Sequence, residues 1–243
     1  MATYNFNTST VESRASSRSL LSKAFGYMAI FLGITSAIAI GLSFLLDHFI
    51  TAEAGKVPPF YMGLIIGSSI MQIILTIWIL FGSIKMSRTQ VIPMVLYSIC
   101  MGVLLSSFTF VLTPGTLGFT FLIAALAFGG MALVGLFSKK ASALGMVGFG
   151  ILFSVMLTVL FGFVFWILVP HAAFMMNIVV SILVIIAVML ITAYDVHNIK
   201  RISMAGENSS NLALYLAFNL YTDFVLILIR LLQIVAIFAG DRR

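Results

Sequence analysis

The apolar stretch Ala172–Tyr194 reads AAFMMNIVVSILVIIAVMLITAY, carries no charged side chain and ends directly before Asp195. A helix needs about 20 predominantly apolar residues to cross a bilayer. Inside the hydrocarbon such a continuous run satisfies its backbone only as a helix, because barrel strands alternate apolar and polar residues over about 10 positions. The stretch therefore predicts an all-α membrane protein.

The composition of the whole chain supports this class. It is 62% hydrophobic and 8% charged, whereas a soluble domain carries roughly 25% charged residues. The single cysteine, Cys100, excludes a disulfide within one chain. The net charge of +6 comes from short basic clusters between apolar runs. We therefore expect the lipid bilayer as the surroundings, and no nucleic-acid partner.

Seven apolar segments are long enough to span a membrane. They are Phe25–Leu46, Tyr61–Ile84, Val91–Leu112, Leu117–Phe137, Ala143–Val169, Ala172–Tyr194 and Asn211–Phe238. Prolines, glycines and basic pairs between them are typical of turns and wetted loops. We predict a polytopic seven-helix transmembrane domain over residues 23–240, preceded by a disordered cytoplasmic tail over residues 1–22 that is rich in Ser and Thr.

The basic residues also predict an orientation. Alternate segments on one side hold Arg14, Arg18, Lys23, Lys85, Arg88, Lys139, Lys140, Lys200 and Arg201, and the other side holds Lys56, Arg242 and Arg243. Cytoplasmic loops carry the excess of Lys and Arg. The N-terminus is therefore predicted in the cytoplasm and the C-terminus outside, in the inner membrane if the chain is bacterial.

Two smaller patterns concern how the helices meet. Gly33, Ala37 and Gly41 recur every four residues, as do Gly63 and Gly67, and such stripes favour close approach of helix backbones. Gln72 lies within a predicted span, where we expect its amide to bond to a neighbouring helix.

Asp195 and Asp223 are the candidate functional residues. A carboxylate at hydrocarbon depth costs several kcal/mol unless it is paired, protonated or wetted. Asp195 directly follows the sixth apolar run. The seventh run would form roughly 42 Å of helix, which exceeds the hydrocarbon core of about 30 Å. We therefore place its inner boundary near Asn219 or Leu220, with Asp223 just inside it. Antiparallel neighbouring helices joined by a polar loop over Val196–Ser210 would bring both carboxyl groups to one depth.

Three polar neighbours are candidate partners of these aspartates. Asn198 follows Asp195 by three residues and Asn219 precedes Asp223 by four, which are same-face spacings on a helix. Arg230 lies seven residues beyond Asp223, on the same stripe.

Two carboxyl groups in contact in a partly dry site do not both ionise readily, so they titrate as a unit. Such a pair is a candidate pH sensor, and its oxygen ligands suit a hard cation such as Ca²⁺, bound transiently. In the alternative interpretation, each aspartate separately caps a backbone or pairs with Lys200, Arg201 or a basic loop.

The stretches ITAYDVHNIK, residues 191–200, and NLYTD, residues 219–223, resemble the last two membrane segments of the Bax inhibitor-1 family, also called the transmembrane Bax inhibitor motif family. The resemblance covers about residues 23–238. It implies a central seventh helix wrapped by six others and a pH-sensitive calcium leak channel in which Asp195 and Asp223 form the sensor and gate.

The resemblance also implies a basic residue near the inner end of the second span that holds the closed pair, and here Lys85 or Arg88 is the candidate. Many relatives have an Asn one turn after the seventh-span aspartate, where this chain has Leu226. Calcium is then the permeant ion, and no bound cofactor and no enzymatic activity are expected.

Two other classes stay open. An intramembrane aspartyl protease also places aspartates on consecutive spans, but its second aspartate follows Gly-x-Gly, whereas Leu220, Tyr221 and Thr222 precede Asp223 here. A non-conducting regulator that binds other membrane proteins is also compatible with the sequence.

Overall fold

The computed structural model describes residues 6–52, 59–83, 90–138, 143–154, 156, 173–206 and 209–240. Every regular element in these ranges is helical. The elements are α1 Phe6–Ala52, α2 Pro59–Ser83, α3 Val91–Ser106 followed by a 3₁₀ turn Ser107–Phe110, α4 Pro114–Phe137, α5 Ala143–Ser154, α6 Ala173–Met204 and α7 Ser210–Gly240.

Six of these helices, α1 to α4, α6 and α7, are long and apolar enough to cross a membrane. The described part of α5, Ala143–Ser154, is apolar but shorter than a span. The rest of the predicted span Ala143–Val169 lies outside the described residues. The all-α, multi-pass class is therefore confirmed, with six candidate spans among the described residues. The predicted span Ala143–Val169 and the central position of the seventh helix stay predictions.

The end of α6 differs from the prediction. The helix continues to Met204, so most of the predicted loop Val196–Ser210 is helical, including the pair Lys200-Arg201. No proline or glycine interrupts the chain before Gly206, whose φ of +88° ends the helix in the left-handed region. Polar side chains by themselves do not terminate a helix that is already nucleated.

The start of α1 also differs. We predicted a disordered tail over residues 1–22, whereas the helix begins at Phe6 and its membrane-spanning part at Leu20. Extending a nucleated helix adds one hydrogen bond for each residue fixed. The polar segment therefore continues the helix of the first span toward the N-terminus.

The chain divides into two compact units. The α1–α3 unit comprises residues 18–113 and 208–221, and the α4–α6 unit comprises residues 1–17, 114–207 and 222–243. Helix α7 contributes its first part to one unit and its second part to the other.

In the α1–α3 unit, a buried chain of hydroxyl groups attaches α7 to α1 and α3. The Thr35 hydroxyl donates to the Ser98 carbonyl over 3.0 Å, and the Tyr221 hydroxyl lies 2.7 Å from Thr35 Oγ1. Because the single Thr35 proton is used on Ser98, Tyr221 is the donor in the second bond. The tyrosine of the stretch NLYTD, residues 219–223, therefore links α7 to α1 through a buried hydrogen bond.

Aromatic rings surround Tyr221. The ring centroids of Phe31, Phe218 and Tyr97 lie 5.6, 5.9 and 6.4 Å from that of Tyr221. In the same unit the Gln72 amide donates to the Met101 sulfur over 3.3 Å, which confirms the predicted bond to a neighbouring helix.

Close helix contacts involve other glycines than the predicted ones. A Cβ built on Gly33, Gly41, Gly63 or Gly67 would meet nothing within 4 Å. A Cβ on Gly102 would lie 2.7 Å from the Thr35 carbonyl oxygen, and one on Gly135 would collide with the Ala193 carbonyl oxygen. The predicted close approach of helix backbones is thus wrong at these four glycines. Residue spacing along one helix does not identify which of its faces packs against another helix.

In the α4–α6 unit, Lys200 holds the end of α4. Its Nζ donates to the Leu136 carbonyl oxygen over 2.7 Å. Leu136 lies in the last turn of α4, where carbonyl groups have no partner within the helix. A lysine predicted in a wetted loop therefore caps a neighbouring helix.

Candidate functional site

Asp223 lies on α7 in the α4–α6 unit and is only 8% exposed. Among the acidic and basic side chains whose burial the structure describes, Asp223 alone is buried. Its helix neighbours Phe224 and Val225 are buried as well, at 2% and 0% exposure. The aspartate therefore sits in the core of the unit and not on its outer face.

Thr192 is the hydrogen-bond partner of Asp223. Its hydroxyl donates to Asp223 Oδ2 over 3.2 Å and to the Val188 carbonyl oxygen over 2.9 Å. Thr192 is itself fully buried on α6. The spans α6 and α7 are thus joined at the depth of Asp223.

Asp195 lies one turn beyond Thr192 on the same face of α6 and is half-buried. The two carboxyl groups are close enough to interact electrostatically. Within the described residues Asp195 makes no hydrogen bond. The structure therefore brings the two predicted aspartates together, without a direct hydrogen bond between them.

Aromatic rings of α4 cover the other side of this part of α7. Phe121 and Phe128 contact Phe224 edge to face, with ring centroids 5.4 and 5.7 Å away. These rings present no hydrogen-bonding group to Asp223. The low polarity of this surface makes an uncompensated charge on Asp223 costly.

The other predicted partners are spread along the two helices. Asn198 lines a cavity together with Tyr194, His197 and Arg201, away from Asp223. Arg230 is half-buried on α7 and donates to Gln233 Oε1 over 3.0 Å.

Asn219 is half-buried on α7, in the part assigned to the α1–α3 unit. Lys85 and Arg88, the candidates for holding the closed gate, lie outside the described residues. The hydrogen bond that the structure describes for this pair runs from Thr192 to Asp223.

Sequence reasoning missed Thr192 and misplaced His197. Thr192 precedes Asp195 by three residues, and that same-face spacing was the available signal. His197 falls in the predicted polar loop Val196–Ser210. It lies on α6 instead, and its Nδ1 atom is buried without a hydrogen-bond partner among the described residues.

The fold and this pair of carboxyl groups define a class: a multi-pass helical membrane protein with an acidic pair between its last two spans. A family model described as "Inhibitor of apoptosis-promoting Bax1" matches residues 17–240. The chain belongs to this family, the Bax inhibitor-1 family, as the resemblance of its last two spans predicted.

Two relatives agree with this assignment. The chain is 30% identical over 244 residues to "Inner membrane protein YbhL" of Escherichia coli strain K12, covering 97% of both chains. It is 29% identical over 241 residues to a protein of Borreliella burgdorferi named "Uncharacterized protein", covering 92% of both chains. The chain is therefore a multi-pass integral membrane protein with an inner-membrane homologue.

Proposed function

We propose that this protein is a pH-sensitive calcium leak channel whose gate is the pair Asp195 and Asp223. The observation that carries the proposal is the position of Asp223, buried at 8% exposure yet within electrostatic reach of a second carboxyl group. A buried acid with a like-charged neighbour is a functional-site candidate on physical grounds, because both features penalise its ionised form.

The proton occupancy of the pair sets the state of the gate. With one proton shared, the pair carries a single negative charge and α6 and α7 stay packed. When rising pH removes that proton, two carboxylates repel each other in a dry environment. Opening to water, or entry of a cation, relieves that repulsion, so calcium flux increases as pH rises.

Calcium is the proposed permeant ion and not a resident cofactor. Ca²⁺ takes 6–8 oxygen ligands in proteins. Two carboxyl groups and the Thr192 hydroxyl fall short of this number, so they favour brief binding during passage. We propose no enzymatic role, because the Gly-x-Gly element of intramembrane aspartyl proteases is replaced before Asp223 by Leu220, Tyr221 and Thr222.

A flux assay tests the proposal. The full-length protein is reconstituted into liposomes that contain a calcium-sensitive dye, calcium is added outside, and the initial influx rate is measured over a pH series. We expect influx to rise with pH for the wild type. Asp223→Asn keeps the size of the side chain but has no titratable proton, so its influx should not vary with pH.

Asp47→Asn is the matched control, because it removes one negative charge just beyond the span of α1. Its pH profile should follow the wild type. Zero flux from folded wild-type protein at every pH, or an unchanged pH profile in Asp223→Asn, contradicts the channel. Zero flux would instead favour the non-conducting regulator that binds other membrane proteins.

A further inference from the structure

A second polar site lies on the opposite flank of α6 from the aspartates. A cavity of about 270 Å³ opens between α5 and α6. Its lining residues are Gly145, Met146 and Phe149 from α5, and Tyr194, His197, Asn198 and Arg201 from α6. Ligand pockets begin at roughly 300 Å³, so this cavity fits a group of headgroup size.

The residues of α6 form one continuous stripe at this cavity. Tyr194, His197, Asn198 and Arg201 have spacings of three, four and seven, which place them on one helix face. Thr192 and Asp195 lie on another face, the one directed at Asp223. The cavity is thus separate from the proposed gate, although both use the last turns of the same helix.

Four side chains with hydrogen-bonding groups line this cavity. Within the described residues, Tyr194, Asn198 and Arg201 make no hydrogen bond or ion pair, and His197 Nδ1 is buried and unsatisfied. Buried polar groups nearly always have a partner. This rule applies to His197 Nδ1, whereas the Arg201 guanidinium is exposed. Together with the three further polar side chains of the lining, this exposed guanidinium is accessible to an anionic group.

The wall from α5 has the opposite character. A Cβ on Gly145 would lie 2.6 Å from Tyr194 Cβ, so the missing side chain lets Tyr194 pack directly against α5. Phe149 contacts the Tyr194 ring edge to face at 6.3 Å. One side of the cavity is therefore apolar and the other carries hydrogen-bond donors.

We propose that this cavity binds a phosphate group, with Arg201 as the charged anchor and Tyr194, His197 and Asn198 as further donors. A guanidinium binds a phosphate through two parallel hydrogen bonds. The apolar wall suits the first carbons of the acyl chains of a phospholipid, so the leaflet at this end of α6 is the first source to test, and free phosphate is the second. This site does not depend on ion conduction.

The charge balance around the cavity is compatible with an anion. The carbonyl groups at the C-terminus of α6 carry a partial negative charge, and this effect is confined to the last turn of the helix. Arg201 lies in that turn and adds a positive charge there. Asp195 is not among the lining residues.

Lipid retention by the full-length protein tests the proposal. Native mass spectrometry of the purified protein is run with phosphatidylglycerol, with diacylglycerol of the same acyl chains, and with inorganic phosphate alone. We expect retention of phosphatidylglycerol but not of diacylglycerol. In Arg201→Gln the affinity should fall about tenfold or more, the loss expected for a hydrogen bond to a charged group.

Lys200→Gln is the matched control, because it removes one positive charge at the neighbouring position but does not line the cavity. It should retain phosphatidylglycerol like the wild type. Asn198→Leu, which changes no charge, should weaken retention as well and serves as the second variant if Arg201→Gln does not fold.

Each result decides the proposal. Retention of phosphatidylglycerol that depends on Arg201 supports it with a lipid as the source, and binding of inorganic phosphate alone that depends on Arg201 supports it with a soluble source. Equal losses in Arg201→Gln and Lys200→Gln would indicate unspecific charge attraction and overturn it. Equal retention of diacylglycerol, or no binding of any phosphate compound, would also overturn it.

Discussion

Thr192 on α6 donates from its hydroxyl to Oδ2 of Asp223 on α7 across 3.2 Å, and the same hydroxyl lies 2.9 Å from the Val188 carbonyl oxygen. One hydroxyl has one proton, so it does not fully satisfy both acceptors at once. A protonated Asp223 can donate to Thr192 and leave its proton for Val188. An ionised Asp223 needs that proton, so Thr192 responds to the protonation of the gate.

Thr192→Val should shift the pH dependence of calcium influx. The substitution keeps the β-branched shape but removes the donor that stabilises the ionised form of Asp223. A hydrogen bond to a charged group is worth about 1.5–3 kcal/mol, and 1.36 kcal/mol corresponds to one pH unit. The midpoint of the flux profile in liposomes should therefore move upward by about one pH unit.

Thr120→Val is the control for this experiment. Thr120 is buried on α4 and donates only to the Thr116 carbonyl of its own helix. Its flux midpoint should equal that of the wild type. Equal midpoints for Thr192→Val and the wild type would mean that the hydroxyl does not act on the gate.

A double-mutant cycle of Asp195→Asn and Asp223→Asn should be strongly non-additive. If the two carboxyl groups share one proton, either single change removes the pH dependence of influx and the second change adds little. The measurement is the ratio of influx rates at alkaline and acid pH for the four proteins. Independent, additive effects would show that the two aspartates act separately.

Gly135→Ala should destabilise the protein, whereas Gly130→Ala should not. A Cβ at Gly135 would collide with the Ala193 carbonyl oxygen, and one at Gly130 meets nothing within 4 Å. Overpacking costs about 1–3 kcal/mol of unfolding free energy, while replacing an exposed helical glycine gains up to about 1 kcal/mol. The thermal midpoint in detergent should fall for Gly135→Ala only, and an equal or higher midpoint would contradict this packing of α4 on α6.

Tyr221→Phe should lower the unfolding free energy by about 1 kcal/mol, because the Tyr221 hydroxyl donates to buried Thr35. Tyr215→Phe on the same helix is the control, since the Tyr215 hydroxyl has no hydrogen-bond partner within the described ranges. Both thermal midpoints are measured in detergent. If the two variants have the same thermal midpoint, the hydroxyl chain does not stabilise the α1–α3 unit.

Local signals predicted most of the helices. The lengths of the apolar segments predicted the start of α3 at Val91 and the end of α4 at Phe137 correctly. The length of a span depends only on how many consecutive residues of the chain are apolar. The end of α6 was placed too early, at Tyr194, because polarity was taken as the end of the helix. The residue that ends it is Gly206, through its left-handed backbone conformation.

The positions of Asp195 and Asp223 on consecutive spans predict an acidic pair from the sequence, because carboxylates are rare and costly in apolar segments. The hydrogen bond from Thr192 and the contact of Gly135 with Ala193 were not predictable from spacing. Both depend on the rotation and separation of two helices, which many side chains set together.

The order of residues thus determined that this chain spans a membrane as helices, which acids it places there, and which family it belongs to. These properties follow from transfer free energies and from local motifs, which are written along the chain. Only the tertiary structure decided which face of α6 meets Asp223 and which face, with Arg201, lines a cavity against α5. Helix rotation results from packing among several helices, and no single segment encodes it.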